Sequence, residues 1–83
     1  MRVEPLINQL LEEARRDPEA WSREGWSRAS AAVSSSAGEF LDWARNHKRW
    51  SFIVAEAASE VCAKPPELAA WVLHQIIEEL LEE

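Results

Sequence analysis

The sequence contains a single cysteine and only two glycines, and each scarcity excludes a class of site. An intrachain disulfide needs two thiols, so Cys62 cannot form one, and a lone thiol favours a reducing, cytoplasmic location. Gly25 and Gly38 are too few to form the glycine-rich loop that cradles a bound phosphate. The paired cysteines typical of zinc or redox motifs are missing as well, so we expect no cofactor.

Long apolar runs are also missing, and the charge is mostly of one sign. No apolar stretch approaches the roughly 20 residues that a membrane-spanning helix needs. The N-terminal stretch MRVEPLINQLLEEARR interrupts its apolar residues with charges and amides, unlike a secretory signal. The formal net charge of -6 disfavours general attraction to nucleic acid or to an anionic membrane surface. The sequence therefore predicts no membrane association.

The 83 residues, 47% of them hydrophobic, match the size and composition of one small domain spanning 1–83. Strand-like alternation and the Asn-Gly or Asp-Gly turns typical of hairpins are missing, whereas apolar residues recur at helical spacing almost everywhere. The sequence therefore predicts an all-α, compact bundle of four to five helices. They are expected at about 4–16, 18–24, 27–46, 49–62 and 66–82.

Several residues mark the expected helix ends. Asp17 followed by Pro18 is a favoured N-cap and first residue, which predicts a helix start at this point. Gly25 is expected to end that short helix, because glycine readily adopts the left-handed conformation found after helix C-termini. The stretch AKPPEL is expected to end the fourth helix, and Pro66 to begin the fifth.

The middle of the chain allows two interpretations. Apolar residues at alternating spacings of three and four favour one continuous helix over 27–46. These residues are Trp26, Ala29, Val33, Ala37, Phe40 and Ala44. The three serines at 34–36 argue instead for a break, and Ser36 with Glu39 matches a capping box. We favour the continuous helix and keep the break near 34–36 as the alternative.

The fifth predicted helix carries an apolar arc of about 220°, wider than a surface helix needs. The arc comprises Leu68, Ala69, Val72, Leu73, Ile76, Ile77, Leu80 and Leu81. Such a helix is either the central helix of the bundle or part of an interface between chains. Self-association as a homo-oligomer through residues 66–82 is therefore one of the two expectations.

Trp71 falls on the opposite, acidic side of the same helix, close to Glu67 and Glu78. A tryptophan on an acidic, solvated face is a candidate anchor for a partner protein. The alternative is that the first or second helix folds over Trp71 and buries it. We take Trp71, Glu67 and Glu78 as candidate partner-binding residues.

The stretch RNHKRW, residues 45–50, gathers basic side chains and tryptophans in an acidic protein. Cations at the end of the third helix would stabilise its exposed carbonyls, and this is the interpretation we favour. An acidic partner protein is the second interpretation, and nucleic acid held by phosphate contacts and base stacking is the third. The candidate partner-binding residues at this junction are Arg45, Lys48, Arg49 and Trp43.

No catalytic motif stands out in the sequence. Cys62 lies at the end of the apolar stripe of the fourth helix, where a free cysteine behaves as a small buried hydrophobe. His74 and Glu78 share one helix face, which predicts a side-chain pair rather than a metal site. We therefore expect a non-enzyme that acts as an adaptor, assembly subunit or inhibitor by binding another protein. The alternative is a nucleic-acid-associated regulator that uses the basic patch at 45–50.

Overall fold

A computed structural model describes residues 2–61 and 64–83 of the chain. Over these ranges the chain forms five helices and no strand, which confirms the predicted all-α bundle. The helices are α1 (Val3–Arg16), α2 (Pro18–Val33), α3 (Ala37–Arg45), α4 (Ser51–Val61) and α5 (Pro65–Leu81). No helix in the described ranges is long and apolar enough to cross a membrane.

The last helix, α5, is the centre of the bundle and packs against each of the other four helices. Its buried residues are Leu68, Ala69, Ala70, Val72, Leu73, Ile76 and Ile77. Complete burial of a leucine, isoleucine or valine side chain contributes about 1.5–3 kcal/mol of hydrophobic stabilisation. The wide apolar arc is therefore buried within one chain, and a second copy is not needed to explain it.

A new helix, α2, begins directly after Asp17, where the sequence predicts a helix start. The Asp17 carboxylate accepts a hydrogen bond from the Ala20 backbone N–H at 3.1 Å, so it caps the start of α2. Pro18 follows in the first turn, where its missing N–H costs nothing. Arg28 of α2 pairs with Glu13 of α1, which links the two helices across their exposed edge.

Gly25 does not end a helix. The start predicted for the short helix over 18–24 is correct, but its predicted end at residue 24 is wrong. The helix α2 continues through Gly25 to Val33. A Cβ atom at Gly25 would lie 2.9 Å from Cε2 of Trp21 and 3.2 Å from Nε2 of His74. The glycine is therefore used for close packing of two rings on the helix backbone, rather than for a turn.

A turn at residues 34–36 separates α2 from α3. The continuous helix predicted over 27–46 is therefore wrong, and the alternative, a break in the helix near 34–36, is observed. The Ser34 hydroxyl donates to the Ala31 carbonyl at 3.2 Å, and the Ser36 backbone N–H donates to the Val33 carbonyl at 3.1 Å. Such local hydrogen bonds offer the backbone an alternative to continued helix. Ser36 is the N-cap residue of α3, although its side chain makes no capping hydrogen bond.

The remaining boundaries differ from the predicted ones by one or two residues. Residues 46–50 form a turn between α3 and α4, in which the backbone N–H groups of Trp50 and Ser51 donate to the His47 carbonyl. The fifth helix begins one residue earlier than expected, at Pro65. The predicted end of the fourth helix at 62 and the predicted burial of Cys62 lie outside the described residues.

Candidate protein-binding site

Two surfaces contain most of the residues that the sequence singled out; Glu67 and Glu78 lie outside both. The first, which we call the α4–α5 groove, is a shallow cavity of about 120 Å³ between those two helices. It is lined by Phe52, Ile53, Glu56, Trp71, Gln75 and Glu79. The second, which we call the basic junction, consists of residues 45–50 together with Trp43, and it connects α3 with α4.

Each helix presents one face to the α4–α5 groove. Phe52 and Glu56 are one turn apart on α4, and Trp71, Gln75 and Glu79 are successive turns of α5. Arg49, just before α4, pairs with Glu83, just after α5. This contact shows that the two helices run in opposite directions. The groove therefore follows two parallel rows of side chains.

The floor of the α4–α5 groove is apolar and incompletely covered. Phe52 has 70% of its surface exposed, the highest value for a large hydrophobic residue in the described chain. Beside it, Ile53 and Trp71 are half-buried and pack against the core. A single exposed apolar side chain is ordinary, but three adjoining ones form a contiguous patch, which is typical of an interaction surface.

The rim of the α4–α5 groove is acidic. Glu56 and Glu79 line it, and no basic residue that the structure describes does. Both carboxylates are exposed, and neither makes an ion pair with any residue that the structure describes. The two charges are therefore left for solvent or for a bound partner.

The sequence allowed Trp71 to be either a solvent-facing anchor or a residue buried under the first or second helix. The structure places it between these expectations, half-buried beside α4. Glu67 lies one turn before Trp71 on the same row of α5 and is exposed. Trp71 and Glu67 are both accessible to a partner, and their partner-binding role stays a prediction.

Glu78 is engaged within the chain. It accepts a hydrogen bond from the Trp21 indole N–H at 3.3 Å and lies 3.6 Å from Nε2 of His74. The predicted His74–Glu78 pair is therefore confirmed. Because the carboxylate fastens α2 to α5, Glu78 is less suited to partner binding than Glu56 or Glu79.

His74 lies in an aromatic cluster that sequence reasoning missed. Its ring stacks on Trp21 with 5.4 Å between centroids, and Trp26 lies 6.3 Å away on another side. Trp26 itself remains 46% exposed. The signal was present in the sequence as Trp21 and Gly25 at helical spacing, but it requires knowing that α2 packs against α5.

In the basic junction, most of the groups make contacts within the chain. The Arg49 guanidinium lies 4.6 Å from the centre of the Trp50 ring and also pairs with Glu83. Arg45 lies 3.8 Å from the Asp42 carboxylate. Lys48 is exposed and makes no ion pair among the described residues.

The two tryptophans at the basic junction lie against the ring of a histidine, which is stacked with Trp50 and tilted relative to Trp43. The His47 ring lies 4.9 Å from Trp43 and 6.1 Å from Trp50. Trp50 is only 5% exposed and Trp43 is half-buried. The junction therefore contains an aromatic cluster in which Trp50 is buried and Trp43 is half-buried.

Within the described ranges, no group of three or more His, Cys, Asp or Glu side chains is placed to hold a metal ion. Models of known protein families, curated proteins and solved structures give no match to this chain. The function is therefore inferred from the geometry and charge of the protein's surfaces. Of these surfaces, the α4–α5 groove combines exposed apolar area with unpaired charge.

Proposed function

We propose that the protein is a small, non-catalytic, cytoplasmic interaction module that binds another protein through the α4–α5 groove. The observation that carries the proposal is the 70% exposure of Phe52 beside the half-buried Trp71. Full burial of a phenylalanine side chain is worth about 1.5–3 kcal/mol, which this fold leaves unused and a partner can gain. An adaptor, an assembly subunit and an inhibitor all fit this mode of action.

A nucleic-acid-associated regulator that uses the basic junction is the alternative. Base stacking needs an open aromatic face, and the buried Trp50 is covered by the Arg49 guanidinium. Trp43 offers a half-exposed ring and Lys48 is an exposed cation, so this function keeps a weaker structural basis. The net charge of -6 further lowers the expected affinity for phosphate backbones.

Partner capture with a groove variant tests the proposal. Tagged wild-type protein, Phe52→Ser and Trp26→Ala are used to capture partners from nuclease-treated native lysate, with mass spectrometry as the readout. We expect a stoichiometric protein that the wild type retains and Phe52→Ser loses at least about tenfold, because truncating an aromatic anchor commonly costs 1–2 kcal/mol or more. Phe52→Ser alters an exposed residue, so the fold is expected to persist.

Trp26→Ala is the matched control, since it removes a second exposed aromatic side chain that lies on α2 outside the groove. We expect it to retain the partner. Equal loss in both variants, or a partner that is indifferent to Phe52, contradicts the proposal. Partners that disappear with nuclease and require Lys48 would favour the nucleic-acid alternative.

A further inference from the structure

The size of the α4–α5 groove limits what it can hold. An apolar cavity of about 150 Å³ accommodates a benzene molecule, whereas cofactor and drug sites are about 300–1,000 Å³. At about 120 Å³ the groove suits one side chain of the size of leucine or methionine. The groove is therefore too small to enclose a cofactor or a drug-sized ligand, and its size matches a single apolar anchor inserted by a segment of another macromolecule.

Exposed carboxylates make the surroundings of the α4–α5 groove negative. Glu56 and Glu79 line the groove, and Glu60 and Glu67 continue the same two rows by one turn beyond it. All four carboxylates are exposed, and none is ion-paired to a residue in the described parts of the chain. A partner with lysine or arginine beside its anchor complements this field, and an acidic partner is repelled.

The shape of the site favours a helical partner. A peptide that binds as an added strand needs an exposed sheet edge, and the described chain has no strand. A groove between two antiparallel helices instead accepts a third helix, which presents residues at spacings of three and four along one face. The rows Phe52–Glu56 and Trp71–Gln75–Glu79 have the matching one-turn repeat.

We infer that the partner of the α4–α5 groove is a basic amphipathic helix that inserts one apolar side chain between Phe52 and Trp71 and places cations against Glu56 and Glu79. The inference rests on the proposed function and adds the chemistry of the partner to it. It differs from a symmetric pairing of two copies groove to groove, because the sequences of α4 and α5 contain no lysine or arginine.

Labelled helical peptides provide the probe. Three peptide sets share leucine anchors at helical spacing and carry lysine, glutamine or glutamate at the flanking positions, and a lysine- and proline-rich extended peptide completes the panel. Fluorescence anisotropy with the full-length protein gives affinities at low and at physiological salt. We expect the lysine set to bind at least about tenfold more tightly than the glutamate set, with the advantage shrinking as salt rises.

Variants locate the binding. Phe52→Ser is expected to weaken the lysine peptide about tenfold or more, and the double variant Glu56→Gln/Glu79→Gln about threefold to tenfold at low salt, since rim ion pairs are individually weak. The double variant Glu19→Gln/Glu24→Gln removes two exposed acids from α2 and serves as the matched charge control. It should change the affinity less than about twofold by screening of distant charges.

Other outcomes overturn the inference in distinguishable ways. Equal affinity for the glutamine and lysine sets, no binding by either, or equal binding of the extended peptide would show that the partner chemistry is wrong. A native partner that still requires Phe52 would then leave the proposed function standing. Dimerisation of the wild type that Phe52→Ser abolishes, seen by sedimentation, would identify the occupant as a second copy instead.

Discussion

Gly25 lies in the middle of α2, where its missing side chain lets the rings of Trp21 and His74 contact the helix. His74 in turn pairs with Glu78, which also accepts the Trp21 indole N–H. One small residue therefore supports a stacked ring pair and one hydrogen bond between α2 and α5, together with a polar contact within α5. Gly38, in contrast, is not closely packed, since a Cβ there would meet nothing within 4 Å.

The two glycines give opposite predictions for the same substitution. Gly25→Ala forces the buried Trp21 ring to move, and overpacking costs about 1–3 kcal/mol against a gain of about 1 kcal/mol in helix propensity. We expect a net loss of about 1 kcal/mol in the free energy of unfolding. Gly38→Ala is expected to add about 0.4–1 kcal/mol, because it restricts only the unfolded chain.

Urea unfolding followed by tryptophan fluorescence measures both changes at one pH. Stabilisation of the protein by Gly25→Ala, in step with Gly38→Ala, would contradict the packing role of Gly25. A loss of stability in Gly38→Ala would contradict the open surroundings of Gly38.

At the scale of the elements, the start of α2 was predictable, and the central position of α5 was one of two expectations. Asp17 and Pro18 are strong local signals, and the arc on α5 is wide because four helices cover it. The break at 34–36 was mispredicted, because the apolar spacing stays in phase on both sides of it. Val33 and Ala37 are both buried although a turn separates them, so periodicity alone does not reveal the break.

The groove was only partly predictable for a related reason. Trp71 was found because one tryptophan stands out on an acidic helix face. Phe52 and Ile53 were missed, because α4 is apolar on most of its faces and its own pattern does not tell which face a neighbour covers. That choice depends on how α4 packs against α3 and α5, which is a property of the whole bundle.

Glycine insertions test the break between α2 and α3. Two glycines inserted between Ser34 and Ser35 lengthen an exposed turn, and we expect a loss under about 1.5 kcal/mol. The same insertion between Ala29 and Ser30 turns the following residues by about 200°, which removes Val33 from the core. We expect that variant to lose about 3 kcal/mol or more, from lost burial and glycine in a helix.

Urea denaturation again provides the readout, with circular dichroism to confirm helix content. Equal damage from the two insertions would indicate that residues 27–46 act as one continuous helix. A tolerated insertion at Ala29 would argue that α2 is not packed through Val33.

At the scale of the whole molecule, the bundle divides its apolar surface unequally. The arc on α5 is covered by the other four helices, whereas Phe52 on α4 remains mostly exposed. Arg45 and Arg49 of the basic junction make ion pairs within the chain, whereas Glu56 and Glu79 have no ion-pair partner in the described ranges. Exposed apolar area and unpaired charge therefore coincide in one place, the α4–α5 groove.

Hydrogen–deuterium exchange of the full chain, with and without its captured partner, tests this central claim most directly. A partner that covers the groove should slow exchange of backbone amides at 52–60 and 71–79, because local opening of α4 and α5 then requires the partner to dissociate. Amides at 45–50 should exchange at nearly the same rate in both samples. Protection confined to 45–50, with α4 and α5 unchanged, would contradict the groove as the binding site and favour the basic junction.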